Sequence, residues 1–357
     1  MLRRINLSSP EAFFGADRAL DIVQDCRDLA VQRPLLVGTR STGKRHGRFL
    51  NAISALDAVH FFEAEPHSPA ATIERATACF RQAHCDGVIT LGGGSSTSIG
   101  KALAVSDSAP FIALPTTYSG SEVTAIYGRR VDGEKRTAID QRCRPKRIIY
   151  DPHLSVDLPF ATSFATATNS MAHAIDALYA ADAGALTALL AREVLEIYRD
   201  ELPRLAQDTG HAQIRERLLY AGFLGGLLVS MHGIALHHQL CHVIGGLYGT
   251  PHGDNNAAVL PQAIAYNAGI VPRADEVLTE VYGATHGAGA VYDFIARYAP
   301  EAGLTAFDLP DDAAEHIVAQ QCAHGGYNPR PLDRDALLPI VQAALCGTRP
   351  NHNPGPA

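Results

Sequence analysis

Short apolar runs rich in β-branched and aromatic residues recur through the first 150 positions. They are PLLVG (34–38), AVHFFEA (58–64), GVITLGG (87–93), FIALPT (111–116) and RIIYDP (147–152). Runs of this length, bounded by Gly, Pro or Asp, predict strands buried on both faces. Between them, DRALDIVQDCRDLAVQ (17–32) and ATIERATACFRQAH (71–84) place apolar residues at helical spacing. Strands alternating with helices argue a parallel, doubly wound α/β sheet. After Asp151-Pro152 the strand signal nearly vanishes. Ala/Leu-rich amphipathic stretches take over, among them SMAHAIDALYA (170–180), LTALLAREVLEIYRDEL (186–202), RERLLYAGFLGGLLVSM (215–231) and DALLPIVQAAL (335–345). The expected organisation is an α/β domain over residues 1–155 and an all-helical domain over 156–357. The Pro159 region is the expected hinge, and the cleft between the halves is the default ligand site.

Composition narrows the function classes. A chain of 357 residues with 46% hydrophobic and 19% charged positions can bury substantial cores and is not of disordered type. The net charge of −7 leaves no basic footprint for nucleic acid. None of the seven cysteines forms a C-x-x-C, and their number is odd, which reads as reduced thiols. The first residues lack an apolar run long enough for a signal segment, and no stretch of about 18 apolar residues suggests a membrane span. The expectation is a cytoplasmic, soluble protein acting on a small molecule.

A phosphate-binding signal lies in LGGGSSTSIGKALA (91–104). Three glycines end a predicted strand and hydroxyl residues open a helix. Gly lets backbone approach a ligand, and amides at a helix N-terminus favour a pyrophosphate. The spacing is neither the G-x-G-x-x-G fingerprint, since Thr97 stands where the third glycine belongs, nor a Walker A loop. The next strand ends in LPTTYSGSEVT (114–124), so Thr116 and Thr117 are expected at the same carboxyl-end crevice. Gly92, Gly93, Gly94, Ser95, Ser98, Thr116, Thr117 and Ser119, with Thr39 and Lys135, are the expected cofactor contacts. PLLVG is followed by Thr39 and Arg40 where a carboxylate would select the ribose hydroxyls of NAD, which leaves room for a 2′-phosphate.

Chemistry is concentrated further on. Asn169 and His173 are four apart in NSMAHAIDALYA, His238 and His242 are four apart in LHHQLCHVIGG, and His252 follows in the loop TPHGDNN. Residues at i and i+4 share a helix face, so each pair projects side by side. Such a cluster either holds a divalent metal through imidazole nitrogens or moves protons near neutral pH. His237 reads as a packing or solvent-facing residue.

Together these segments resemble the iron-containing alcohol dehydrogenase superfamily. GGGSSTSIGKALA, PTTYSGSEVT, YDPHLSVDLP, the Asn169/His173 helix and HHQLCHVIGGLYGTPHGDNNAAVLP stand in the family order over roughly residues 30 to 350. Within it the chain is most similar to the maleylacetate reductase branch, through Asn169, PTTYSGSEVT and the ending GGYNPRPLDRDAL. The resemblance implies a dinucleotide-binding domain followed by a helical domain, usually as a homodimer. It also implies reduction of maleylacetate by NADH or NADPH to 3-oxoadipate. Metal-using relatives carry Asp where Asn169 stands, with ligands matching His173, His238 and His252. The amide removes the only anionic ligand, so the resemblance, with this departure, implies a metal-independent site. Any residual metal would fall to Asn169, His173, His238 and His252. Ser98, where many relatives have Asp, is a second departure.

Without a metal, hydride addition β to the ketone pushes charge onto the ketone oxygen. Catalysis then needs donors at that oxygen and a proton for the α-carbon. His242 and His252 are the expected donors, oriented by Asn169, His173 and His238, with Tyr118 and Ser119 completing the pocket. Arg330 is a candidate for a dicarboxylate substrate, weighed against a role in holding the fold. Alternatives are a metal-dependent alcohol or polyol dehydrogenase of the same fold, a dehydroquinate-synthase-like lyase, and a nucleotide-binding regulator without chemistry.

Overall fold

Six parallel strands and a set of helices divide the chain into two compact units. The computed structural model describes residues 10–65, 69–131 and 134–350. The strands are β1 (Glu11–Phe14), β2 (Pro34–Val37), β3 (Val59–Phe61), β4 (Gly87–Gly92), β5 (Phe111–Pro115), β6 (Ile126–Val131), β7 (Glu134–Ile139) and β8 (Arg147–Tyr150). Five helices matter below: α1 (Gly94–Ser106), α2 (Phe160–Leu178), α3 (Ala212–His232), α4 (Leu236–Tyr248) and α5 (His252–Asn267). No single helix among the described residues is long and apolar enough to cross a membrane.

One unit covers the described part of Leu7–Leu158 together with Asp208–Ser230. Its sheet runs in the order β1-β8-β5-β4-β2-β3, all parallel. The five apolar runs of the sequence are β2, β3, β4, β5 and β8. The core beneath them joins Leu36, Ile89, Leu91, Ile112, Leu114 and Ile149 to Ile22, Phe49 and Ile53. The order reverses between β2 and β4, so the loops after these two strands sit side by side at the switch point where such sheets bind ligands. A separate antiparallel hairpin, β6 with β7, follows the loop after β5.

Helix α3 belongs to this α/β unit, although the sequence pattern groups it with the helices around it. Tyr220 and Phe223 present ring edges to Phe14, and Phe223 also meets Tyr150, which stacks on Phe14 at 4.7 Å. Backbone meets backbone where α3 crosses the loop after β5. A Cβ on Gly226 would stand 2.3 Å from the Gly120 oxygen, and Gly120 itself has φ +72°. Only glycine fits both positions. Arg215, wholly buried, donates to the Tyr118 hydroxyl (2.8 Å) and to the carbonyls of Thr209 (2.7 Å) and Leu158 (2.8 Å).

The second unit covers Pro159–Gln207 and the described part of Met231–Ala357, and is helical. Its core gathers Leu236, Leu240 and Ile244 of α4 with Val259 and Ala263 of α5 and with Ile317, Val318, Leu337 and Val341. Those three α4 residues, at i, i+4 and i+8, bury one helix face and so fix the face that carries His238 and His242. Helix α2 is buried almost all round from Phe164 to Leu178, as expected of an interior helix.

Candidate active site

In the helical unit, the histidine constellation assembles as the i, i+4 spacing predicts. Gly249, with φ +66°, ends α4, and Pro251 caps α5. His252 is therefore the first residue of a helix, where the sequence reading expects a loop. Gly253 lies so close to α2 that a Cβ there would be 2.9 Å from that of Ala165, which brings the start of α5 beside Asn169. The rings of His173 and His238 stack at 4.5 Å, and those of His242 and His252 lie 6.2 Å apart.

Asn169 is the hub. Its Oδ1 accepts from His252 Nε2 (2.9 Å), Asn256 Nδ2 (3.2 Å) and His238 Nε2 (3.3 Å), while its Nδ2 faces His173 Nε2 at 3.5 Å. An amide oxygen only accepts, so His252 carries its hydrogen on Nε2. His238 turns its other nitrogen, Nδ1, to Asp176 at 2.8 Å. Both His238 bonds form at once only if the His238–Asp176 pair holds two protons. Burial pushes the Asp176 carboxyl up, and the backbone N–H groups of Ala235, His237 and His238 support its anionic form. Helix α4 lacks a side-chain cap of its own, so Asp176 serves its N-terminus from α2.

Burial, reinforced by neighbouring histidines, holds His173 and His238 well below the ordinary imidazole pKa. His242 keeps an exposed edge, yet the protein crowding the rest of its ring also lowers its pKa, opposed by Asp176. It lines a cavity of about 260 Å³ with Gln239, Gln321 and His324.

Two participants, Asp176 and Asn256, escape the sequence reading. Asp176 stands seven residues after Asn169, and Asn256 four after His252, so both spacings signalled a shared face. His237 is buried, with Nδ1 3.2 Å from His238 Nδ1 and Nε2 3.4 Å from the Asn256 carbonyl. It is a packing residue of this network, not a solvent-facing one. Among the described residues, Asp176, His237 and His238 bring one ligand atom each within 4.8 Å of one another, all buried. His173 Nδ1 and Asn256 Oδ1 are buried without a protein partner. Arg330 donates to the Tyr266 carbonyl at 3.0 Å and covers the Tyr266 ring at 4.7 Å, which is a fold-holding role.

In the α/β unit the two predicted loops meet. Gly92 pairs with Pro115, and Thr116 N–H donates to the Gly92 carbonyl at 3.1 Å. Gly92 has φ +152°, and a Cβ on Gly93 would press Thr117 at 2.9 Å. Gly94 opens α1, whose N-terminus has no side-chain cap. Ser95 lies half-buried in that first turn, and Ser119 is half-buried on the facing loop. Ser98 spends its hydroxyl on the Gly94 carbonyl. Ser96 Oγ and Ser121 Oγ are buried without partners beside this turn. Lys101 pins α1 to the facing loop, donating to Ser121 O, Thr124 Oγ1 and Ile126 O at 2.7–2.8 Å, and burial draws its pKa down to about 8. Thr39 sits at the end of β2, half-buried. The Lys135 side chain lies outside the described residues. Tyr118 is a correction. The sequence reading expects it to complete the substrate pocket, but it is wholly buried and its hydroxyl is engaged by Arg215.

Both units have counterparts among known proteins. Residues 9–152 match the model for iron-containing alcohol dehydrogenase, and residues 163–345 match its C-terminal counterpart. Maleylacetate reductase 1 of Cupriavidus pinatubonensis is 35% identical over 350 residues, covering 96% of this chain and 97% of that one. The crystal structure of maleylacetate reductase from Rhizobium sp. superposes with a TM-score of 0.90 at 32% identity, over 98% of this chain and 100% of that one. The structure of maleylacetate reductase from Agrobacterium tumefaciens gives 0.91 at 33% identity, with the same coverage. Likeness of this extent, reaching both the glycine turn and the Asn169 hub, places the chain in the iron-containing alcohol dehydrogenase family, in its maleylacetate reductase branch.

Proposed function

We propose that this chain is a maleylacetate reductase, reducing the C=C bond of maleylacetate to 3-oxoadipate with NADH or NADPH and without a metal. The observation that carries the reading is the Asn169 amide at the crossing of His238, His252 and Asn256. An iron or zinc ion would need the imidazole lone pairs free and aimed at one point. Here they are spent: His252 turns an N–H to the amide oxygen, and the amide NH₂ faces His173. The four residues that would hold the ion, Asn169, His173, His238 and His252, include no anion, and the buried carboxylate of Asp176 is taken by His238 Nδ1 and the backbone N–H groups that open α4. These residues do not fit a divalent cation, and no step is assigned to one.

A dinucleotide fits the α/β unit better. The uncapped α1 N-terminus, the glycine turn and the unpartnered hydroxyls of Ser96 and Ser121 suit a pyrophosphate. Gly92, Gly93, Gly94, Ser95, Thr116, Thr117 and Ser119 would hold it; when bound, it supplies the hydride. The protein's own part is proton and charge management. His252, whose Nε2–H is held by Asn169, can donate to the ketone oxygen only from Nδ1, as the imidazolium, when enolate charge develops there. His242, open to solvent, delivers the proton to the α-carbon and is reprotonated from water. His238, His173 and Asp176 hold those two rings in place. The substrate is a small dicarboxylate; a homodimer and a cytoplasmic location remain part of this reading.

Incubation with NADH or NADPH and enzymatically generated maleylacetate should consume the nucleotide and form 3-oxoadipate. Ready turnover of simple alcohols, with maleylacetate untouched, would overturn the assignment. Chelator treatment should leave activity near its starting value, with metal content well below one ion per chain. Asn169→Asp should raise metal affinity, because it restores an anionic ligand. Activity lost on chelation and restored by iron or zinc would contradict the metal-free site.

Gly94 isolates the cofactor contribution. A Cβ there meets nothing closer than Ser121 Oγ at 3.8 Å, so the protein itself tolerates alanine. Gly94→Ala should raise the cofactor KM by roughly tenfold, by crowding amides that must approach phosphate, while Tm barely changes. An unchanged KM in the folded variant would reduce the loop to a plain turn.

A further inference from the structure

We propose that this chain prefers NADPH to NADH, and that Arg40, Lys44 and Arg45, with the hydroxyls of Thr39 and Ser41, bind the 2′-phosphate. The inference rests on the dinucleotide reading above and adds which dinucleotide is taken and by which groups. It starts from the sheet. The order reverses between β2 and β4, and Val37 pairs with Thr90, so the turn after β2 stands next to the Gly92–Gly94 turn. In a doubly wound sheet that turn faces the adenosine ribose of a nucleotide whose pyrophosphate lies on the glycine loop. A carboxylate there accepts from both ribose hydroxyls and repels a phosphate.

This chain has no carboxylate between Gly38 and Arg48, and it has four cations. Gly38 is followed by a tight turn in which Thr39 N–H donates to Thr42 Oγ1 at 2.9 Å and Thr42 N–H to the Thr39 carbonyl at 2.9 Å. A Cβ on Gly38 would overlap Thr42 at 2.5 Å, so the turn is fixed. It leaves Arg40, Ser41, Lys44 and Arg45 exposed together, with Thr39 Oγ1 and Ser41 Oγ 2.8 Å apart.

The charges around this turn are accounted for. Arg48 is committed to Asp17 at 2.7 Å. Glu63 and Glu65, on the adjoining loop after β3, are both held by Arg75, at 3.0 and 3.6 Å. Asp157 acts on His46. Arg40, Lys44 and Arg45 make no ion pair among the described residues, so three cations are free at the position a 2′-phosphate would occupy. Arginine binds phosphate through two parallel N–H donors, and lysine as a point charge.

The test reads binding, without substrate. Dissociation constants of NADPH and NADH, and of 2′,5′-ADP and 5′-ADP, are measured by calorimetry at low and high salt. NADPH and 2′,5′-ADP should each bind at least about tenfold tighter than their counterparts, and the margin should shrink with salt. In Arg40→Ala/Lys44→Ala the margin should vanish, and Thr39→Asp should invert it. Equal affinities in the wild type, or a double variant that weakens both dinucleotides by one factor, would overturn the proposal. Failure of both dinucleotides to bind would overturn the cofactor reading as well. Tight NADPH binding with maleylacetate untouched would remove only the substrate assignment.

Discussion

Alanine at His252 or His242 is expected to lower kcat by roughly two to four orders of magnitude, the range for a group that moves a proton or stabilises developing charge. Dinucleotide Kd should change little, because neither residue belongs to the glycine turn. The two losses should be far from additive in the double variant, since both residues serve one developing enolate. Asn169→Ala should reduce kcat through His252, by freeing the tautomer that Asn169 Oδ1 now fixes at 2.9 Å. His237→Ala is the contrasting case. His237 is buried against the Asn256 carbonyl and His238, so its loss should lower Tm, with kcat of the folded protein nearly retained. If His237→Ala cost as much kcat as His242→Ala with Tm unchanged, the assignment of roles along α4 would be wrong.

The constellation was legible because helical periodicity is a strong constraint. Once α4 buries Leu236, Leu240 and Ile244, His238 and His242 have no choice of face. Asp176 was less visible, since a lone carboxylate in a helix usually marks solvent. Nothing local shows that the N-terminus of another helix, α4, will need it as a cap. The five central strands announced themselves as apolar runs, whereas β1 did not. EAFF is a four-residue edge strand whose meaning comes from pairing with β8 and from the rings of α3. The β6–β7 hairpin did not announce itself either, because its strands, IYGRRV and EKRTAI, carry too many charges to read as apolar runs. Tyr118 misled for a physical reason. A hydroxyl-rich loop at a strand's carboxyl end suggests ligand contact, but its direction depends on what packs above it. Here that is α3, whose apolar residues run round the whole helix and give no hint of which unit it joins.

That dependence makes Arg215 the residue whose loss should most disturb the α/β unit. Its guanidinium, itself wholly buried, spends its donors on the buried Tyr118 hydroxyl and on the carbonyls of Leu158, which is half-buried, and Thr209, which is exposed. Arg215→Met keeps much of the volume but leaves those acceptors without this donor. Losing several hydrogen bonds from a charged donor, each of about 1.5–3 kcal/mol and partly replaced by water at the Thr209 carbonyl, puts the cost at about 3–5 kcal/mol. For a unit of this size that corresponds to a fall in Tm of roughly 6–20 °C. Lysine should not rescue it, because a single ammonium cannot span acceptors that a planar fork reaches on several sides. Tyr118 lies between Thr117 and Ser119, so loosening it should also weaken dinucleotide binding in whatever fraction stays folded, while Gly94→Ala weakens binding with Tm intact. An Arg215→Met protein with wild-type Tm would show that the glycine contacts of α3 alone hold the helix in place, and that the buried guanidinium is dispensable.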